Sequence, residues 1–171
     1  MRTISAKKLK QILDDHLHWL REDCDDRENM RANLSGADLS GAKLSWANLS
    51  GAKIELDLVN KYYPIACPEV GAFTAWKKCA NNTIVKLEVL EDAKRSSAYS
   101  RKCRCSAARV LSIENIDGTP YSENSIASRQ DSSFIYTVGE IVKVNDFDED
   151  RRNECSTGIH FFITRKEAID Y

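Results

Sequence analysis

The sequence predicts an α+β protein that is mainly β: an N-terminal capping helix, a short square coil, and then a β-rich α+β domain. Three observations predict it: an amphipathic stripe over residues 5–22, a five-residue repeat over 32–54, and short alternating apolar segments beyond residue 61. The division falls near residue 60, into helix plus coil (1–60) and C-terminal domain (61–171). A chain of 171 residues has room for both.

The stripe comes first. Leu9, Ile12, Leu13, Leu17 and Leu20 recur at steps of three and four, which places them on one helix face. Ser5 is the expected N-cap. His16 lies on the same stripe with Trp19 at its edge, the position of a hydrogen-bonded packing histidine. The acidic run Glu22, Asp23, Asp25 and Asp26 then reads as a solvated turn.

In the repeat, Ala stands at 32, 37, 42, 47 and 52, followed two places later by Leu34, Leu39, Leu44, Leu49 and Ile54. A period of five fits neither a helix nor a flat strand. It fits a square coil whose every side turns one small and one large apolar residue inward. Ser and Gly take most of the corners, where the backbone turns; Trp46 takes one of them.

This pattern resembles the pentapeptide-repeat family, whose members form a right-handed quadrilateral β-helix. Leu9, Ile12, Leu13, His16, Trp19 and Leu20 resemble the helix found in front of such repeats. Long members of the family imitate a DNA duplex. Five pentapeptides make little more than one coil, and Lys43 and Lys53 stand against Asp38, so no DNA-like surface and no DNA partner is expected. So small a coil cannot bury its own ends; it needs the helix on one side and another body on the other, and open ends suggest a homo-oligomer.

The second body carries candidate strands at 72–77, 83–90, 107–113, 134–138, 140–144 and 158–163. Asp117-Gly118 marks a turn, and Thr164-Arg165-Lys166-Glu167 has the form of a capping box opening a closing helix. Ala66-Cys67-Pro68, Ala75-Trp76-Lys77-Lys78, Arg101-Lys102-Cys103-Arg104-Cys105 and Glu154-Cys155 through Gly158-Ile159-His160-Phe161-Phe162 resemble a domain of phage and other viral pentapeptide-repeat proteins. That resemblance covers nearly all of 61–171 and implies no particular activity.

Composition narrows the function. A net charge of −1 gives no overall attraction to nucleic acid or membrane. No stretch approaches the roughly 18 apolar residues of a spanning helix, and MRTISAKKLKQIL lacks the apolar centre of a signal peptide, so a cytoplasmic protein is expected, in the host cytoplasm if phage-encoded. There the six cysteines are expected as reduced thiols. Cys67, Cys79, Cys103, Cys105, Cys155 and His160 could supply zinc ligands, yet no CxxC knuckle is present and no metal or cofactor is assigned. The acidic run Asp146, Asp148, Glu149 and Asp150 lacks the spacing and glycine of a calcium loop and reads as a solvated turn.

One segment departs from neutrality. Between Lys77 and Arg109 stand nine Lys or Arg (77, 78, 86, 94, 95, 101, 102, 104, 109) and three acids (88, 91, 92). Such groups with neighbouring hydroxyls hold phosphates, and Trp76 or Tyr99 could stack on a base; the alternative is a solvated face. The expected ligand-binding set is Trp76, Lys77, Arg95, Arg101, Arg104 and His160, with no catalytic residue assigned. The expectation is a non-catalytic binding protein of phage type for a small nucleotide-like host immune signal. Two alternatives stand beside it. One is an enzyme, through Cys155 with His160, or through the order Trp76-Lys77, 136–140 and 158–162, which resembles ADP-ribosyltransferases with Glu140 or Glu154 as the glutamate. The other is a module that binds and inhibits a host protein through the coil and Trp46.

Overall fold

A computed structural model describes residues 2–62 and 64–171. The described residues form a β-rich α+β structure with four α-helices and several small sheets. Strand β1 (Arg2–Thr3) leads into α1 (Ala6–Arg21), then α2 (Arg27–Met30), β2 (Ala37–Asp38) and α3 (Leu56–Tyr62). The rest runs β3 (Phe73–Lys78), β4 (Thr83–Val89), β5 (Arg95–Ser97), β6 (Cys103–Cys105), β7 (Ala107–Asn115), β8 (Ser125–Ala127), β9 (Ile135–Thr137), β10 (Ile141–Lys143), β11 (Ile159–Phe161) and α4 (Arg165–Asp170).

Helix α1 starts where the capping residue predicts: the Ser5 side chain accepts from the Lys8 amide at 3.2 Å. Its His16 is fully buried against the repeat. The Ala32 amide donates to Nδ1 at 3.3 Å, so Nε2 carries the proton and donates to the Ser50 carbonyl at 3.1 Å. Trp19 stacks on His16 with ring centres 5.1 Å apart.

Within the repeat, Leu34, Leu39, Leu44 and Leu49 are buried, each at 1% exposure or less. The amides of Ala37, Ala42, Ala47 and Ala52 donate to the carbonyls of Leu34, Leu39, Leu44 and Leu49, one turn per pentapeptide. Asn33 and Lys53, four pentapeptides apart, form a parallel bridge. The backbone between successive Ala–Leu pairs is left-handed at Gly36, Gly41 and Gly51, and also at Trp46, with φ of 66°. Only two of the repeat's residues form a regular strand, β2, which pairs in parallel with β1. The helix α3 that follows falls outside the predicted elements: Val59 points its apolar side into the same cluster as the repeat leucines.

Beyond residue 64 a separate cluster forms around a four-stranded antiparallel sheet of order β10-β7-β4-β3, with β3 at the edge. A second sheet, β11-β6-β5, contributes Cys103, Cys105 and Phe161, all fully buried. Trp76 and Phe162 exchange backbone hydrogen bonds of 2.9 and 2.8 Å, tying the edge strand β3 to the segment just after β11. Thr164 and Glu167 close the predicted capping box of α4. The Arg152 guanidinium donates to the carbonyls of Ala52 and Ile54 at 3.0 and 3.3 Å, so a side chain of the C-terminal region satisfies the last backbone acceptors of the repeat.

The acidic run at 146–150 is a loop in which Asp146 and Glu149 are exposed, as a solvated turn requires, while Asp148 and Asp150 are half-buried. Asp148 accepts from the Asp150 amide at 2.8 Å and Asp150 pairs with Arg152 at 2.5 Å, while the loop's carbonyls wrap Arg104. Among the described residues no helix is long and apolar enough to cross a membrane.

Candidate functional site

A cleft of about 330 Å³ opens at the end of edge strand β3. Lys77 and Lys78 come from that strand, His160 and Phe162 from β11 and the residue after it, and Lys102 from the residue before β6. Arg129 and Gln130 follow β8, Cys155 precedes β11, and Tyr171 follows α4. The backbone tie between Trp76 and Phe162 fixes the two main walls relative to each other.

The charge of this cleft is one-sided. Three lysines and Arg129 line it, and no Asp or Glu does. Among the described residues none of these four cations makes a salt bridge to a carboxylate side chain. Lys102 is 6% exposed, and its ammonium donates to Cys155 Sγ at 3.1 Å and to the Tyr171 hydroxyl at 3.2 Å. The Lys77 ammonium sits 5.9 Å from the centre of the Tyr136 ring, and burial holds its pKa below the ordinary lysine value. Lys78 donates to the Ile169 carbonyl at 2.9 Å. Lys102 is buried, Lys77 and Lys78 are half-buried and Arg129 is exposed, so an anion entering the cleft meets four cations with no carboxylate already paired to them.

His160 adds a neutral group. Its Nε2 lies 3.3 Å from the Glu154 carbonyl, which can only accept, so the proton is on Nε2. Burial first, then the charges of Lys77 and Lys102, push its pKa down to about 4, and the ring is uncharged at neutral pH. Phe162 and Tyr171 supply flat apolar surface, their ring centres 5.1 Å apart. Cations, a neutral imidazole and aromatic faces in one cleft suit a phosphate-bearing ligand with a planar ring.

Of the six residues expected to bind ligand, the cleft brings together Lys77 and His160. Trp76 points instead to the small cluster of Ile84, Phe162 and Ala168. Arg95 spends its donors on the carbonyls of Ala93, Pro68, Gly71, Leu90 and Glu91, at 2.8–3.2 Å. Arg104 is 1% exposed and donates to the carbonyls of Asp148, Thr157, Asp150 and Asn153. Arg101 pairs with Glu167 at 2.6 Å on the surface. Lys78, Lys102, Arg129, Gln130, Phe162 and Tyr171 complete the lining. Lys78 and Lys102 lie in the basic segment; Arg129, Gln130 and Tyr171 carry no local signal and reach the cleft only through the tertiary fold.

Cys155 and His160, weighed together as nucleophile and base, do line the same cleft, whereas the side chains of Glu140 and Glu154 do not. Cys67, Cys79, Cys103 and Cys105 are buried and do not line the cleft, and burial pushes Cys79 and Cys105 up to about 12. No group of three or more His, Cys, Asp or Glu that could hold a metal ion occurs among the described residues.

These features define a β-rich domain with a basic cleft, joined to a short leucine-lined repeat. Residues 30–55 match pentapeptide repeats (8 copies), and residues 63–168 match a family of unknown function, DUF5758, to which the chain belongs. Neither a curated protein nor a solved structure matches it.

Proposed function

We propose that the C-terminal domain binds a phosphate-bearing, nucleotide-like molecule in the cleft between β3 and β11 without transforming it. One observation carries this reading: Lys77, Lys78, Lys102 and Arg129 converge on a cleft whose lining has no carboxylate side chain. In the phage-type setting that the sequence resembles, such a protein would sequester a small host immune signal. The repeat would serve as one coil of a right-handed quadrilateral β-helix that carries the domain, a reading supported by the parallel bridge between Asn33 and Lys53.

The test is native mass spectrometry after incubation with mixed mono- and dinucleotides. An adduct released intact on denaturation is the expected result. A converted product would establish an enzyme, with Cys155 and His160 as the groups to examine. A second reading, docking of a host protein on the repeat, is favoured by Trp46, which is 60% exposed at a left-handed corner. It predicts a protein partner lost in Trp46→Gly and no nucleotide adduct.

A further inference from the structure

The cleft does not end at His160. A second cleft, of about 420 Å³, lies on the other side of the same wall, and Lys77, Gln130 and His160 line both. Each side has its own aromatic pair. On the first, Phe162 and Tyr171 have ring centres 5.1 Å apart; on the second, Phe134 and Tyr136 stand 5.3 Å apart. The shared wall is where the Lys77 ammonium lies, over the Tyr136 ring.

The two sides differ in polarity in a useful way. The first holds the remaining cations, Lys78, Lys102 and Arg129. The second adds Ser128, Thr157 and the carboxylates of Asp131 and Asp146, with Lys143 as its further cation. Asp131 already accepts from the Ser133 amide and hydroxyl, at 2.9 and 2.6 Å, which leaves Asp146 as the freer acceptor for sugar hydroxyls or base amino groups. A planar ring can stack on Tyr171 on the first side and on Phe134 on the second, with the buried Phe162 and Tyr136 behind them, while phosphate lies between at Lys77.

Resting on the proposed binding function, we infer that the ligand is a dinucleotide-type molecule: two nucleosides joined through phosphate, one in each cleft, with the bridging phosphate at Lys77, the cation the two clefts share. A mononucleotide would fill the first cleft, where Lys78, Lys102 and Arg129 hold its phosphate, and leave the second to water. Each base–aromatic stack adds enough binding energy for an affinity gain of about tenfold.

The experiment is calorimetric titration with inorganic pyrophosphate, adenosine and guanosine monophosphates, diadenosine pyrophosphate, and cyclic diadenylate and diguanylate. The wild type is compared with Phe134→Leu and Asp146→Asn, whose folding is checked by thermal melting. The expected result is that at least one two-nucleoside ligand binds about tenfold or more tighter than its mononucleotide. Asp146→Asn and Phe134→Leu should remove that advantage and leave mononucleotide and pyrophosphate affinity unchanged. Equal affinity for mono- and dinucleotides, or an advantage untouched by both variants, would overturn the dinucleotide assignment and leave the binding function standing. No binding by any of them would overturn both.

Discussion

The Lys102 ammonium lies 3.1 Å from the sulfur of Cys155, and that thiol is exposed where Lys102 itself is buried. The pair therefore puts a buried charge behind an accessible reporter on the floor of the basic cleft. A ligand held there should shield Cys155 from alkylation by iodoacetamide. Labelling followed by peptide mass spectrometry should show Cys155 protected by a bound nucleotide, with Cys24 as the internal control outside the cleft. Unchanged Cys155 labelling at saturating ligand would move the binding site elsewhere.

Lys77→Met and Lys102→Met test the same site by affinity. A hydrogen bond to a charged group contributes about 1.5–3 kcal/mol, so each variant should weaken nucleotide binding by roughly tenfold to a hundredfold. Lys77→Met should also leave the fold at least as stable, since burial disfavours that ammonium and no carboxylate compensates it. Arg101→Ala, which loses only the surface pair with Glu167, should change binding little. Titration calorimetry and thermal melts of the three variants separate these outcomes.

His160 makes the protein sensitive to acid. Its pKa of about 4 lies below the 6.5 of a free imidazole, so between those values the unfolded chain binds the extra proton. Stability therefore falls as pH drops from 6.5 towards 4, by at most about 3 kcal/mol from this residue. The buried His16, also shifted down by burial, acts in the same direction. Binding should respond oppositely: an anion beside His160 favours the charged ring, so affinity for a phosphodiester ligand, which does not itself titrate here, should strengthen as pH falls through this interval. His160→Gln should flatten the binding dependence, read by calorimetry, and reduce the stability dependence to what His16 leaves, read by urea denaturation.

Arg104 was the least legible of the basic residues. In sequence it stands beside Arg101 and Lys102 as one more solvent-facing charge, but β6 pairs with β11 on one side and β5 on the other, and the central strand buries it. Its guanidinium then becomes the hub of the 146–157 loop. Arg104→Met should cost about 3 kcal/mol or more by orphaning those carbonyls, and should raise hydrogen exchange across that loop. The Arg104→Lys variant retains the charge and loses the planar fork, so it should recover only part of the loss.

Local rules made the helix and repeat legible because period and capping act over a few residues. Ser5, the leucines at 34, 39, 44 and 49, and the Thr164 box all stand where the sequence places them. Strands β3, β4 and β7 also follow from alternation, whereas β5, β6 and β8 are three-residue segments whose partners, not their own composition, make them strands. The cleft was half legible for a related reason. Charge density along the chain marks Lys77, Lys78 and Lys102 but equally marks Lys94, Arg95 and Arg109, which are taken up by Glu149, by backbone carbonyls and by Glu88.

The corners of the repeat give a test that separates backbone strain from packing. An added Cβ at Gly36 meets nothing within 4 Å, so Gly36→Ala should cost only the left-handed conformation, about 1 kcal/mol. At Gly51 the φ is similar, 70°, but the Cβ would lie 2.8 Å from the Trp19 ring. That ring cannot easily yield: it stacks on His16, and the guanidinium groups of Arg27 and Arg31 each lie 5.4 Å from it. Gly51→Ala should therefore cost about 2–3 kcal/mol or more. Trp46 runs the comparison in reverse, since it already holds a left-handed φ of 66° with a bulky, exposed side chain. Trp46→Gly should raise stability by up to about 1 kcal/mol, the relief of strain being partly offset by glycine's greater freedom in the unfolded chain. Chemical denaturation of the three variants should give the order Trp46→Gly, then Gly36→Ala, then Gly51→Ala. Equal losses at Gly36 and Gly51 would mean that Trp19 does not pack against the repeat in solution.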